Sequence, residues 1–346
     1  MRNRKEPYSG NCRAFSYLFY IIPYICGRID SMKKRVLLGI ITIIFISVLV
    51  AVCYCYVTQK NVDKKLQEES RQKVEAYHQE VDENGIAVDM RDNPVFAEEL
   101  PGFEYPAYTT ISYYSKVTDT IRHANVIFPI GYDETKSYPV LYLLHGLGGS
   151  HKTWINKKAD VIIQNLIYFQ DVEPMILVLP NSELNEIENT DALAWYEKAK
   201  YYDKTEEDLT ECLMPYIEKH YSVKEGRKNR AIAGNSMGGR NTMNTAFKHP
   251  ELFGYVGVFS SANVFESGGK SGFSGLLSDE DFAGKEFELF LLMVGKQDDV
   301  CGWVTPLIHE KLEKNGIDHV YYEVEGGHNT YVWQNALYNF VLRIFK

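Results

Sequence analysis

The sequence predicts an α/β fold, a doubly wound and mostly parallel sheet of eight strands, preceded by an N-terminal segment that reads as a transmembrane helix. Three observations carry this. From about residue 94, short runs that are apolar at every position, such as Val140–Leu144 and Tyr255–Phe259, alternate with amphipathic stretches such as residues 207–220 and 240–249. Strands apolar on both faces belong to parallel sheets covered by helices on both sides. Residues 36–57 form one uncharged, mostly apolar run of 22 residues. Finally, 45% hydrophobic and 24% charged residues are the proportions of a globular protein, which excludes collagen-like and disordered classes.

Taken in chain order, residues 1–35 are a basic segment, with eight Lys/Arg against two Asp/Glu. Within them residues 14–26 are apolar but too short to span a bilayer, and Pro23 interrupts them. Met32-Lys33-Lys34-Arg35 reads as a natural start, so residues 1–31 are expected to be an upstream extension. The run 36–57 reads as a signal-anchor. As a helix it reaches roughly 33 Å at about 1.5 Å per residue, enough for a hydrocarbon core. The basic flank before it predicts a cytoplasmic N-terminus and an extracellular body at the cell membrane. If the run is cleaved as a signal peptide, the body is secreted. Residues 58–93 are polar and charge-rich and read as a solvated stalk, with only a ragged stripe of Leu66, Val74, Tyr77 and Val81.

Residues 94–346 are then the folded body. Tyr108–Ser115 and residues 120–128 alternate in polarity around a short turn and are expected to pair antiparallel. Residues 140–144, 175–179, 230–233, 255–259, 287–294 and 319–324 complete the eight strands. The net charge of −9 hides a body near −15 behind the basic start, and such an acidic surface repels nucleic acid. Of six cysteines only Cys212 and Cys301 lie in the body, with no disulfide framework and no metal-type spacing.

The chemistry gathers at strand ends. Gly234-Asn235-Ser236-Met237-Gly238 stands between a strand and a helix. A tight turn there exposes the Ser236 hydroxyl, and glycines on either side let neighbouring backbone approach. His145-Gly146-Leu147-Gly148-Gly149 follows another strand and offers a backbone N–H to a developing oxyanion. The expected donors are the N–H groups of Met237 and Leu147, with Gly146 or Gly148 as replacements for Leu147. Serine needs a base. Of nine histidines, His328 follows the last strand and two glycines and satisfies the order Ser, acid, His. The acid is expected after the preceding strand at Asp298, with Asp299 the alternative. Indole faces stack on sugar or aryl rings, so Trp154 and Trp303 are the candidate substrate contacts, and Trp195 and Trp333 are further possibilities. Gly268-Gly269-Lys270-Ser271 lacks the spacing of a phosphate loop and reads as a flexible loop near the site.

With these residues in place, residues 104–346 resemble the esterase D-like esterases of the α/β-hydrolase fold, and within them the feruloyl and acetyl-xylan esterases of carbohydrate esterase family 1. The resemblance rests on Leu141–Gly149, Trp154, Pro180-Asn181, Pro215–Glu218, Ala231–Gly239, and the passage from His319 through Gly326-Gly327-His328 to Trp333. It implies Ser236 as nucleophile, His328 as base and Asp298 as acid, with no cofactor and no metal. It also implies ester substrates, acyl or feruloyl esters of carbohydrates. Two positions depart from the family pattern, Asn235 before the serine and Asn329 after the histidine. The alternatives are an acyltransferase of the mycolyltransferase-like branch and a catalytically inactive surface-binding protein.

Overall fold

The apolar runs become the strands of one eight-stranded sheet in the computed structural model, which describes residues 31–77, 81–82, 85–87, 95–184, 193–266 and 275–346. The strands are β1 (Tyr108–Ser115), β2 (Thr120–Ile127), β3 (Val140–Leu144), β4 (Ile176–Pro180), β5 (Arg230–Asn235), β6 (Tyr255–Phe259), β7 (Leu289–Gly295) and β8 (Val320–Val324). Their order across the sheet is β1-β2-β4-β3-β5-β6-β7-β8. β1 and β2 pair antiparallel, as do β2 and β4, and every pair from β4 to β8 is parallel.

Both faces of the sheet are buried, which is why the strands carry no polar alternation. In β3, Leu141 and Leu143 point into one core with Phe340 and Leu166, while Tyr142 and Leu144 point into the other with Phe247 and Leu312. The first face is covered by α2 (Ala159–Phe169) and α6 (Thr330–Val341). The second is covered by α3 (Met214–His220), α4 (Met237–Lys248) and α5 (Val304–Lys314). The helix expected over residues 207–220 is interrupted by a wide π turn at Leu209–Leu213. Pro215 has no N–H to give the Glu211 carbonyl, so the ordinary helical bond is missing there and the turn widens.

Three strand starts differ from expectation, and β4 begins one residue late at Ile176. β7 begins at Leu289 because Phe287 packs instead on Phe247 and Phe290. His319 stays out of β8 because its ring turns to the Ile317 carbonyl and to His309. β3 sends its chain to β4 on one side, while β5 lies on the other, so a crevice opens at the carboxyl ends of these strands.

The chain divides into two units, residues 1–66 and residues 67–346. In the first, the described part belongs to α1 (Ser31–Glu75), whose side chains at Ile43, Val50 and Val52 are all more than half exposed. The helix is long and apolar enough, by length and composition, to cross a membrane.

In the second unit packing starts at Gln67, within the stretch expected as a stalk at residues 58–93. Gln67 Nε2 donates to the Gly102 carbonyl and Ser70 Oγ to the Pro101 carbonyl, each at 2.8 Å. Tyr77 meets the Phe96 ring, and Phe96 meets Tyr338 of α6. Further on, Ile86 and Ala87 are fully buried. Asn339 Oδ1 accepts from the Ala87 N–H at 2.9 Å, and the Ala87 carbonyl accepts from Asn335 and Asn339.

These contacts have a measurable worth. Two side-chain bonds to carbonyls at about 1 kcal/mol each and the burial of Ile86 at about 2 kcal/mol sum to roughly 4 kcal/mol. A chain starting at residue 95 is therefore expected to melt roughly 10 °C below one starting at Gln67, since each kcal/mol moves the midpoint of a domain this size by about 2–4 °C. Equal midpoints by calorimetry would refute the boundary at Gln67.

Candidate active site

β5 runs straight into α4, and the junction is Ser236. Its φ of 56° and ψ of −120° lie outside the regions that L-residues prefer. The strained backbone is held from both sides. Ser236 N–H donates to the Phe259 carbonyl at 2.9 Å, and the Ser236 carbonyl accepts from Ala262 N–H at 3.0 Å and Arg240 N–H at 3.1 Å. Neighbouring residues 235 and 237 are buried, whereas Ser236 is half-buried, so the turn lifts the hydroxyl toward solvent. A Cβ at residue 234 would meet the Gly238 carbonyl oxygen at 2.5 Å, so this turn requires glycine there.

The loop after β3 reaches the same place. A Cβ on Gly146 would lie 3.3 Å from Ser236 Cβ. His145 anchors this loop from within. It is 1% exposed, its Nε2 accepts from Ser182 N–H at 2.9 Å, and its Nδ1 faces the Gly146 carbonyl at 2.8 Å. The accepted bond assigns the neutral tautomer with the proton on Nδ1. Burial pulls its pKa down from 6.5 to about 4. Gly148 N–H already donates to the Tyr202 hydroxyl at 2.9 Å, which removes it from the alternatives to Leu147. Met237 opens α4, where first-turn N–H groups have no partner within the helix.

The loops after β7 and β8 meet one another. His328 Nδ1 lies 2.8 Å from Asp298 Oδ2, and the Asp298 side chain is wholly buried. Asp298 Oδ1 accepts from Val300 N–H at 3.0 Å and Cys301 N–H at 2.8 Å. Burial alone would raise this carboxyl. The bonds from His328 and the Cys301 N–H outweigh it and hold the group below its ordinary value. Asp299 is exposed. The Cys301 side chain is buried, sits against Ser236, and has its thiol pushed up to about 12 by that burial and by Asp298. Trp333 meets the His328 ring edge-to-face at 5.0 Å, and Lys157 Nζ lies 4.9 Å from the Trp333 ring centre. Asn329 caps α6, its Oδ1 accepting from the N–H groups of Tyr331 and Val332. An aspartate at that position would cap in the same way, so this departure from the family pattern leaves the helix end intact.

The comparisons with known proteins follow this geometry. The family model "Putative esterase" matches residues 115–289, half of the chain. The chain belongs to this esterase family. The esterase is 36% identical to the carbohydrate esterase family 1 ferulic acid esterase of the anaerobic fungus Anaeromyces mucronatus. That solved structure aligns with a TM-score of 0.67 over 72% of this chain and 94% of that one, which establishes the α/β-hydrolase-like fold. It is 32% identical over 184 residues to an endo-1,4-beta-xylanase/feruloyl esterase of Xylanibacter ruminicola, covering 51% of this chain and 24% of that protein. The esterase thus spans about a quarter of the length of that relative. It is also 23% identical over 269 residues to an acetyl esterase of Caldicellulosiruptor saccharolyticus, covering 67% of this chain and 96% of that protein.

Of the indoles, Trp154 must be reassigned. It is 1% exposed, its Nε1–H donates to the Leu144 carbonyl at 2.9 Å, and it packs on Phe259, so it is a core residue and offers no face to a substrate. Trp303 is half-buried at the start of α5, on the same loop as Asp298. The Trp195 side chain and residues 268–271 lie outside the described residues. Sequence reasoning missed the polar residues behind the site. Arg122 of β2 donates to the carbonyls of Asn181 and Glu183 and pairs with Asp208. Arg240 of α4 donates to Asp203 at 2.8 Å. Their partners are 37 or more residues away, so no periodicity or motif exposes them.

The neutral burial of His145 sets a pH dependence of stability. The unfolded chain takes up the proton near 6.5, whereas the folded one holds off until about 4. Between these values the unfolded state binds more protons, so stability is full above about pH 6.5 and declines as pH falls, by about 3 kcal/mol at pH 4. In urea titrations, His145→Gln is expected to remove about 2 kcal/mol of the stability loss between pH 7 and pH 5. An unchanged loss in the variant would contradict a neutral His145.

Proposed function

We propose that this esterase is a serine carboxylic-ester hydrolase that cleaves acyl or feruloyl esters of carbohydrates through a Ser236–His328–Asp298 triad. The observation that carries the reading is the 2.8 Å contact of His328 Nδ1 with the buried Asp298 carboxylate, at the same sheet edge as the strained Ser236 turn. Asp298 keeps the Nδ1 proton and leaves Nε2 as the base. His328 takes the Ser236 proton as Oγ attacks the ester carbonyl. The N–H groups of Met237 and Leu147 receive the tetrahedral oxyanion, where fixed donors stabilise developing charge without reorganising. His328 then gives the proton to the leaving alcohol, and the acyl-enzyme is released by water activated at the same Nε2. Trp303 is the indole offered to an aryl or sugar ring. The substrate class draws on the ferulic acid esterase, feruloyl esterase and acetyl esterase among its relatives. Hydrolysis of methyl ferulate and p-nitrophenyl acetate tests it, and failure on every acetyl, feruloyl and longer acyl ester would end the reading.

Ser236→Ala is expected to cost on the order of 10⁶ in kcat. Asp298→Asn is expected to cost about 10³–10⁴ near neutral pH by favouring the wrong tautomer. Asp299→Asn, at the exposed neighbour, is expected to cost a few-fold at most. Measured as kcat/KM on one activated ester, a crippled Asp299→Asn beside an active Asp298→Asn would move the acid by one residue.

The second part of the proposal concerns location. The uncharged run of residues 36–57 behind Lys33-Lys34-Arg35 supports a membrane anchor with the esterase outside the cell. Protease added to intact cells is then expected to release an active, soluble fragment. Protection of the activity until lysis would reverse the orientation.

A further inference from the structure

Behind the two expected oxyanion donors stands a short segment, two of whose polar side chains engage the site's own elements. It runs from Trp195 through Tyr202 to Asp203. Tyr202 is fully buried. Its phenolic oxygen accepts the Gly148 N–H at 2.9 Å, and its hydroxyl donates to Glu183 Oε2 at 3.1 Å. Glu183 is held in turn, since its carbonyl accepts from Arg122 Nη2 of β2 at 3.1 Å. The next residue, Asp203, accepts from Arg240 Nη2, one turn beyond Ser236 on α4. Ala199, Tyr202 and Met237 form a small buried cluster on which Leu147 packs. The segment therefore grips the loop after β3 with one residue and the Ser236 helix with the next.

We infer that Tyr202, oriented by Glu183, is a positioning residue that holds the Gly148 amide and so fixes the neighbouring Leu147 N–H in register with the Met237 N–H. The inference rests on the ester-hydrolase reading above, because it concerns donors for an oxyanion. Gly146-Leu147-Gly148-Gly149 is a loop with little intrinsic rigidity, and Gly148 sits at φ +69°. An oxyanion hole works only where its donors are already in place before charge develops, and a displacement of about 1 Å costs on the order of 10² in rate. Tyr202 supplies the rigidity that the loop's sequence lacks. Burial first, and the neighbouring Glu183 carboxylate second, hold the phenol well above its ordinary pKa, so it keeps its proton across the working range.

The test uses the full chain with methyl ferulate, p-nitrophenyl acetate and a fluorophosphonate probe. Tyr202→Phe keeps the ring and removes only the hydroxyl. It is expected to lower kcat about tenfold or more, with KM within about twofold and the affinity for free ferulate unchanged. Labelling of Ser236 by the fluorophosphonate should slow by a similar factor, because that reaction also builds charge on an oxygen in the hole. A purely structural tyrosine would lower the melting temperature and leave kcat of the folded fraction alone, and that result overturns the inference. If Tyr202→Phe does not fold, Glu183→Ala leaves the phenol in place but unoriented. A several-fold loss in kcat at unchanged KM then supports the inference, and an unchanged kcat overturns it. A wild-type chain that neither hydrolyses the esters nor labels at Ser236 refutes the hydrolase reading itself. Full activity in both wild type and Tyr202→Phe refutes only the role of Tyr202.

Discussion

No side chain fits at residue 238, and the site is built around that fact. A Cβ there would stand 2.4 Å from the Leu144 carbonyl oxygen and 2.7 Å from that of His145. This close approach lets the first turn of α4 lie directly against the end of β3. It brings two separate loops, one after β3 and one after β5, to a common space above the sheet. A methyl group at residue 238 would push the loops apart and separate the amides of residues 147 and 237. The arrangement is not free. The positive φ of Ser236 costs about 1–3 kcal/mol, and each turn glycine adds some unfolded-state entropy. The burial of α4 across its whole length, from Met237 to Phe247, offsets that strain.

The histidine and its acid reach the same edge by a different device. The loops after β7 and β8 interlock through backbone bonds, Lys296 N–H to the Val324 carbonyl and Gln297 N–H to the Gly326 carbonyl. Glycine is again needed at the contact, because a Cβ on Gly295 would lie 2.3 Å from the Gly326 carbonyl oxygen. Asp298 is thus carried into the interior with every approach to it fixed, and its charge is matched by N–H groups before His328 arrives. A buried carboxylate without such bonds would take up a proton instead.

Much of this was readable in the sequence. Strands buried on both faces announce themselves as continuous apolar runs, and β1 through β8 all appear where such runs or alternation placed them. The placement of Ser236, Asp298 and His328 after β5, β7 and β8 was legible because glycines mark the tight turns at those strand ends. The polar scaffold was not legible. Arg122, Glu183, Tyr202 and Arg240 are spread along the chain and meet only after the sheet closes. The packing of Gln67, Ser70 and Ala87 was hidden for a related reason. Its anchors are amide and hydroxyl groups reaching carbonyls, as at Gln67 and Ser70, so the helix shows no wide apolar face. Trp154 misled because an indole looks the same in sequence whether its ring is stacked or buried, and only the bond to the Leu144 carbonyl decides.

Cys301 gives the site a chemical durability that its composition does not suggest. A sulfur this close to Ser236 is a point of oxidative attack where it ionises. Here burial first, and the Asp298 charge second, push the thiol up to about 12, so it stays protonated at neutral pH. Peroxides and electrophiles attack the thiolate, and they find almost none. The same packing that seats Asp298 therefore keeps the Cys301 thiol uncharged, the form that oxidants attack least.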